Sequence, residues 1–373
     1  MKIAVNVIGS SKYADRINLL SRGGLRFKEH DVCVNVLGEG QKPHCVPSDW
    51  NWLDWSHIRV ADRHIHMIAN HGLDDGCDFH LFCDDDSATN IDHMVNHALS
   101  TCSQDTSCIW TPALGEICHQ HWFDALQRSV QDLMPRKSRN SLWIGYEAAL
   151  VNKKLASLMS KSELAKRVFT FSSYLNGSTT FSNTPCDIQI SVLAWLLDAN
   201  HVGQSKSMAH QHPHYLDYSG LISGGSLWHI HGVGRNETTN KKNIGRALSL
   251  GPFANKEELV GHLFPKLHFG IKAKSIGDRK YSLGMFFAPW IGGGTIRAKL
   301  PVNFSCIEKN HGDVIWDNVP SKWQSCDDGF VVKTNGDVYK FCWQMADGYV
   351  GYLHEANHYD TTKVSTMMCL FFE

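Results

Sequence analysis

The 373-residue chain reads as an α/β domain with a mostly parallel sheet, followed by a smaller, mostly-β domain. Three observations predict this. Over the first half, short apolar, β-branched runs alternate with longer stretches at helical spacing, the pattern of strand–helix–strand units. From about residue 280 onward the helical spacing stops and strand-like runs follow one another. Between two of those runs stands Asn335-Gly336, a strong two-residue hairpin signal.

The elements follow in order. Residues 3–8 form an apolar first strand, and Ile17, Leu19 and Leu20 give helical spacing over 13–22. A second strand covers 31–37, a helix 58–71, and a third strand 78–83. A helix over 90–100 starts on Asn90 as N-cap; Ile109-Trp110 is a short strand, and 119–133 a further helix. Residues 236–252 are polar and read as a connector, with a helix over 255–264 capped by Asn255 and carrying Glu258 three residues on. Strands are expected at Tyr281–Phe287, Thr295–Phe304, Gly329–Thr334, Val338–Trp343 and Tyr349–Leu353. The expected division is residues 1–235, a connector with one helix over 236–270, and a sandwich-like β domain over 271–373.

Composition bounds the function. Hydrophobic residues at 43% and charged residues at 20% exclude wholesale disorder. With 36 basic against 37 acidic residues, a protein devoted to gripping nucleic acid is disfavoured, although a local basic groove stays open. No run of about 18 apolar residues exists to span a bilayer. The opening apolar run is short and leads into Gly9-Ser10-Ser11, so it reads as a strand and not as an export signal. The twelve cysteines are dispersed, with no C-x-x-C, and are expected to be reduced thiols in the cytoplasm.

The sharpest motif is Phe82-Cys83-Asp84-Asp85-Asp86-Ser87. Three consecutive carboxylates at the end of an apolar strand repel one another unless a cation joins them, and open α/β sheets bind ligands at that edge. A hard divalent ion, Mn²⁺ or Mg²⁺, takes oxygen ligands together with substrate phosphates, which would seat a nucleoside diphosphate there. A solvated acidic turn is the plain alternative.

Asp187, in Thr184-Pro185-Cys186-Asp187, heads a helix. It is either a cap or a carboxylate base that takes a proton from an attacking hydroxyl. Two histidine pairs, His210/His212 and His229/His231, have the i, i+2 spacing that shares one face of a strand. Glycines around the second pair favour His229 and His231 as metal ligands. His64/His66 and His119/His121 lie in helical text, where such residues diverge. Glu147 is a spare carboxylate in an apolar run, either a ligand for sugar hydroxyls or an exposed position.

These pieces fall in the order used by metal-dependent glycosyltransferases of the nucleotide-diphospho-sugar (GT-A) fold. The chain most resembles the Fringe-like β-1,3-glycosyltransferases. The resemblance rests on the triplet Asp84-Asp85-Asp86 after the 58–71 helix, on Leu150-Val151-Asn152-Lys153-Lys154-Leu155-Ala156-Ser157-Leu158-Met159, and on Pro185-Cys186-Asp187-Ile188-Gln189-Ile190-Ser191. It covers about residues 1–235.

The resemblance implies a GT-A domain with a Rossmann-like mixed sheet and an inverting transfer from a nucleotide-sugar donor, usually UDP-linked. It further implies Mn²⁺ (or Mg²⁺) bound by Asp86 and a histidine, Asp84 and Asp85 facing the nucleotide and sugar, and Asp187 as the base. By distance from Asp187 the metal histidine would be His210 or His212, whereas the local glycines favour His229 or His231. Two departures stand out: Ile144-Gly145-Tyr146-Glu147-Ala148 replaces a glycine-rich segment, and Cys186 stands where the family has an acidic residue. The membrane anchor of animal members is not seen, which points to a bacterial or virus-infected cell.

Arg63 is a candidate to pair with nucleotide phosphate, with a solvated helix face as its alternative. The acceptor is a glycan, bound by Trp290, Trp316, Trp323 or Trp343, or hydroxylated bases of DNA gripped by Lys241, Lys242 and Arg246. A non-catalytic sugar-binding protein is the reading from another class.

Overall fold

The computed structural model describes residues 1–111, 113–116, 120–133, 143–146, 148–174, 186–202, 228–231, 248–249, 253–264, 266–271, 276, 280–286, 295–308, 310–355 and 367–373. The chain divides into two compact units, Met1–His210 with Leu227–Arg235, and Gln211–Ser226 with Asn236–Glu373.

The first unit is built on a seven-stranded sheet. Its strands are β1 (Lys2–Ile8), β2 (Asp31–Gly38), β3 (Asn51–Asp54), β4 (Phe79–Asp84), β5 (Cys108–Trp110), β6 (Ala149–Asn152) and β7 (Asn200–Val202). Across the sheet the order is β3-β2-β1-β4-β6-β5-β7. β6 alone runs against its neighbours, so the sheet is mixed but mostly parallel, as the sequence predicts.

Both faces are covered, which is why β1 and β4 read as nearly continuous apolar runs, interrupted inside by Asn6 and His80 alone. On one face Phe79, Leu81 and Cys83 of β4 join Ile3, Val5, Val7 and Ile91. On the other, Phe82 joins Ile65, Ile68, Leu155 and Ile188. The two-residue period therefore sends Asp84, two positions after Phe82, out on the side of the helix Cys186–Leu196. That helix is buried from Ile188 to Leu196, so its first turn is held firmly.

The expected helix over 58–71 is a succession: a tight turn at Val60–Asp62, an α-turn at Arg63–His66, then a wider π-turn at Met67–His71. The helix Ile91–Thr101 is capped as predicted, Asn90 Oδ1 accepting from His93 N at 3.1 Å. The helix Lys256–Leu263 likewise starts on Asn255, whose Oδ1 accepts from Glu258 N at 2.8 Å. No described helix is long and apolar enough to cross a membrane. One cysteine expectation is corrected: Cys102 and Cys108 are joined as a disulfide, Cα atoms 6.9 Å apart, where the chain passes from a helix end into β5. Eight described cysteines are free, Cys186 among them.

The second unit corrects the sandwich expectation. Among the described residues, eight antiparallel strands pair each with the next in sequence: Lys280–Phe286, Thr295–Glu308, His311–Trp316, Val319–Cys326, Gly329–Thr334, Asp337–Met345, Gly348–Glu355 and Met367–Phe372. The last then pairs with the first, Tyr281 opposite Phe372, and the ring closes as an up-and-down barrel. At eight strands the interior has room only for side chains or one small ligand. Here side chains fill it, with Tyr281, Phe304, Trp323, Phe330, Phe341 and Tyr349 in mutual ring contact.

Asn335-Gly336 forms the predicted hairpin with both residues at positive φ, 48° and 81°. The strands either side of Asp317-Asn318 were not expected. Those two residues also take positive φ, 49° and 64°, and make the same kind of turn without a glycine.

Candidate functional site

Parallel strands β1, β2 and β4 end side by side, and a cleft of about 560 Å³ opens beyond their C-terminal edge. Its walls are the Gly9–Arg16 segment after β1, Glu39 after β2, Arg59–Ala61, the triplet after β4, and Cys186. Gly9 leaves β1 where no side chain fits: a Cβ there would stand 2.9 Å from Val36 Cγ1. The chain thus turns directly into the wall that carries Lys12, Tyr13 and Arg16. Arg16 packs on the Tyr13 ring, 4.3 Å from its centre, and reaches Asp85 Oδ1 at 3.5 Å.

The three carboxylates have separate surroundings. Asp85 is buried beside Arg16, and Asp86 is buried with its Oδ1 3.3 Å from His231 Nε2. Asp84 lies half-buried in the cleft, and Cys186 Sγ donates to its Oδ1 at 3.7 Å. One ligand atom each from Asp84, Asp86 and His231 gather within 4.8 Å of one another. The structure thereby groups Asp84 with the metal candidates.

The crowding is visible in the protonation equilibria. Burial first, and then Asp86 with Asp187 and Asp85, push the Asp84 carboxyl up to about 7, against the pull of His231. Burial and Asp86 push Asp85 up to about 6, although Arg16 and the Ser10 backbone oppose it. Burial, then Asp84 and Asp187, hold Cys186 as a thiol. A group of acids raised in this way favours binding a cation, and perturbed acids in a cleft mark a functional site.

Of the histidine candidates, His231 alone meets the triplet among the described residues. The strand expected to carry both His229 and His231 ends at Ile230. His229 is fully buried and bonded through Nδ1 to Thr89 Oγ1 at 3.0 Å. His231 lies just past the strand end and turns to Asp86. The pairing of His229–Ile230 with Ala88–Thr89, directly after the triplet, brings these distant segments together.

Asp187 stands in the first turn of Cys186–Leu196, close enough to raise Asp84. Two residues on, Gln189 is buried and donates through Nε2 to Asp62 Oδ1 at 2.9 Å and Ala61 O at 3.0 Å. Asp62 in turn holds Arg59 at 2.7 and 2.9 Å. The Asp187 helix and the Arg59–Ala61 wall are therefore locked to each other.

Arg63 lies beneath the cleft and does not line it. It is 1% exposed, and its guanidinium donates to Gly9 O at 3.0 Å, Leu37 O at 3.2 Å and Glu39 Oε2 at 3.1 Å. Among the described residues, the cations that face the cleft are Lys12, Arg16 and Arg59. One signal would have found them: the edge argument applied to β4 applies equally to the end of β1. His212, Glu147, Lys241, Lys242, Arg246 and Trp290 lie outside the described residues. Trp316, Trp323 and Trp343 are buried in the second unit, so they offer no exposed face to a glycan.

No protein-family model matches this sequence, and no curated protein matches it. Among solved structures, the chain is similar to the galactosyltransferase LgtC in complex with donor and acceptor sugar analogs, at 11% identity over 70% of this chain and 100% of that one, with a TM-score of 0.41. It is also similar to mouse xyloside xylosyltransferase 1 in its apo form, at 9% identity over 62% and 98% of the two chains, TM-score 0.37. A further match is the glycosyltransferase GlyE of Streptococcus pneumoniae TIGR4, at 10% identity over 55% and 46%, TM-score 0.33. Likeness this distant assigns no activity, and the cleft itself has to carry the functional reading.

Proposed function

We propose that residues 1–235 are a metal-dependent, inverting glycosyltransferase domain of the GT-A, Fringe-like kind, taking a nucleoside-diphosphate sugar, UDP-linked foremost, and an acceptor hydroxyl. The observation that carries this reading is the gathering of Asp84, Asp86 and His231 at the strand edge with Asp187 beside them. Two carboxylates and one imidazole suit Mn²⁺, and their mutual repulsion without a cation supports the fit. A bound ion would neutralise the charge that develops on the departing diphosphate.

The chain's own residues supply the rest. Tyr13, 42% exposed at the cleft wall, offers a flat face to the nucleobase. Arg16 and Lys12 beside it offer charge to phosphate. Asp187 takes the proton from the acceptor hydroxyl as that oxygen attacks the anomeric carbon. Its buried helix, tied to Asp62 through Gln189, keeps the carboxylate fixed against the donor.

The test is a panel of nucleotide sugars incubated with and without Mn²⁺, with release of UDP, GDP or CMP scored by chromatography. One donor should be consumed in the presence of Mn²⁺. A protein that binds no divalent cation and consumes no donor removes the reading.

A further inference from the structure

The second unit carries a groove that the chemistry above does not use. It lies over three neighbouring barrel strands, His311–Trp316, Val319–Cys326 and Gly329–Thr334, and holds about 490 Å³. Val314, Trp323 and Val332 pack inside the barrel, so the alternate positions Asp313, Lys322 and Lys333 face outward. Register sets these three in one row, Asp313 opposite Lys322 and Lys322 opposite Lys333. The next outward row brings His311 opposite Gln324. His311, Lys322, Gln324 and Lys333 all line the groove. Directly opposite side chains start about 5 Å apart and successive rows on one face about 7 Å apart, so the four rise from the corners of one small patch.

The charge of this patch is not balanced. Asp313 pairs with Lys322. Lys333 is exposed opposite Lys322 and has no acidic partner among the described residues. Like charges directly opposite destabilise a sheet. An anion seated between the two ammonium groups removes that repulsion and accepts from both. A phosphate or sulfate group takes the space of roughly two or three waters at about 30 Å³ each, so the groove has room for the molecule that bears it. The Gln324 carboxamide and the His311 imidazole offer the donors and acceptors that hydroxyls need. Two lysines make no track for a nucleic-acid backbone, which requires many phosphate contacts.

We propose that this outer face of the barrel binds a saccharide bearing a phosphate or sulfate group, with the oxyanion between Lys322 and Lys333 and the sugar hydroxyls over Gln324 and His311. The site is independent of the metal centre of the first unit, so either reading can fail alone.

The test is calorimetry on the full chain, at low salt and in chelator, with glucose 6-phosphate, glucose 6-sulfate, glucose and inorganic phosphate as probes. One of the two substituted sugars should bind at least about tenfold more tightly than glucose or inorganic phosphate. Lys333→Ala and Lys322→Ala should each weaken that binding about tenfold, and about 0.5 M salt should weaken it further. Substituted sugars that bind no better than glucose, or inorganic phosphate that binds as well as they do, overturn the proposal. So does binding that Lys333→Ala leaves unchanged. Binding that is lost in Arg16→Ala and kept in Lys333→Ala belongs to the cleft of the first unit and overturns it too. Should a lysine variant fail to fold, reductive methylation of the unaltered protein, read by peptide mass spectrometry, decides. Protection of Lys322 and Lys333 by the substituted sugar and not by glucose supports the site, and equal labelling refutes it.

Discussion

Replacing Asp84 by Asn should stabilise the metal-free protein, increasingly so as the pH rises. The folded protein holds the Asp84 carboxyl up to about 7, through burial and then its acidic neighbours, against about 3.9 in an unfolded chain. A carboxyl raised on folding contributes its stability fully below the unfolded value and loses it as the pH climbs through about 7. Three units at about 1.4 kcal/mol each set a ceiling near 4 kcal/mol, and shared titration with Asp85 and Asp86 brings this to roughly 2–4 kcal/mol.

Asp84→Asn removes that cost and keeps an oxygen to accept from Cys186. The gain at pH 8 should be roughly 2–4 kcal/mol, falling to about 1.5 kcal/mol or less at pH 5. The comparison with the unaltered protein matters because His64 and His80, lowered by burial to about 3 and about 4, lose stability as the pH falls below about 6.5. Their contributions cancel in the difference. The assay is urea or thermal unfolding in chelator at both pH values. A variant less stable than its parent at pH 8, or a gap independent of pH, refutes electrostatic crowding at the triplet. Added Mn²⁺ should then stabilise the parent and leave the variant nearly unmoved.

Other outcomes follow from the same geometry. His231→Ala should weaken Mn²⁺ binding by roughly 10-fold or more, measured by calorimetry, with the fold unchanged. His229→Ala should instead lower the melting temperature, because it empties a fully buried position and strands Thr89. Asp187→Asn should reduce transfer by about 10²–10⁴-fold while donor affinity holds, as single-turnover and binding measurements will show. Arg63→Ala should cost about 3–5 kcal/mol in urea unfolding, since it leaves the Gly9 and Leu37 carbonyls and Glu39 without their buried partner.

The local parts of the fold were legible. The runs at Lys2–Ile8 and Phe79–Asp84 carry their strand character in composition alone, and Asn90 and Asn255 announce helix starts by their chemistry. The strand over His311–Trp316 was not legible, because its turn uses Asp317-Asn318 in place of a glycine. Arg63 was misplaced for a different reason. A helix-borne arginine looks the same in sequence whether it faces a phosphate or the carbonyls of two strand ends.

The order of residues determined that three acids leave a buried strand at the ligand-binding edge of an α/β sheet, since strand burial and strand ending are both local properties. Which histidine joins them was decided by the pairing of residues 229–230 with 88–89, a contact across 140 residues that no local pattern encodes. Closure of the C-terminal strands was likewise settled by Tyr281 meeting Phe372. Alternating apolar residues specify only an inner face. Whether that face opens as a sandwich or closes as a barrel depends on how the accumulated twist and register bring the first and last strands together.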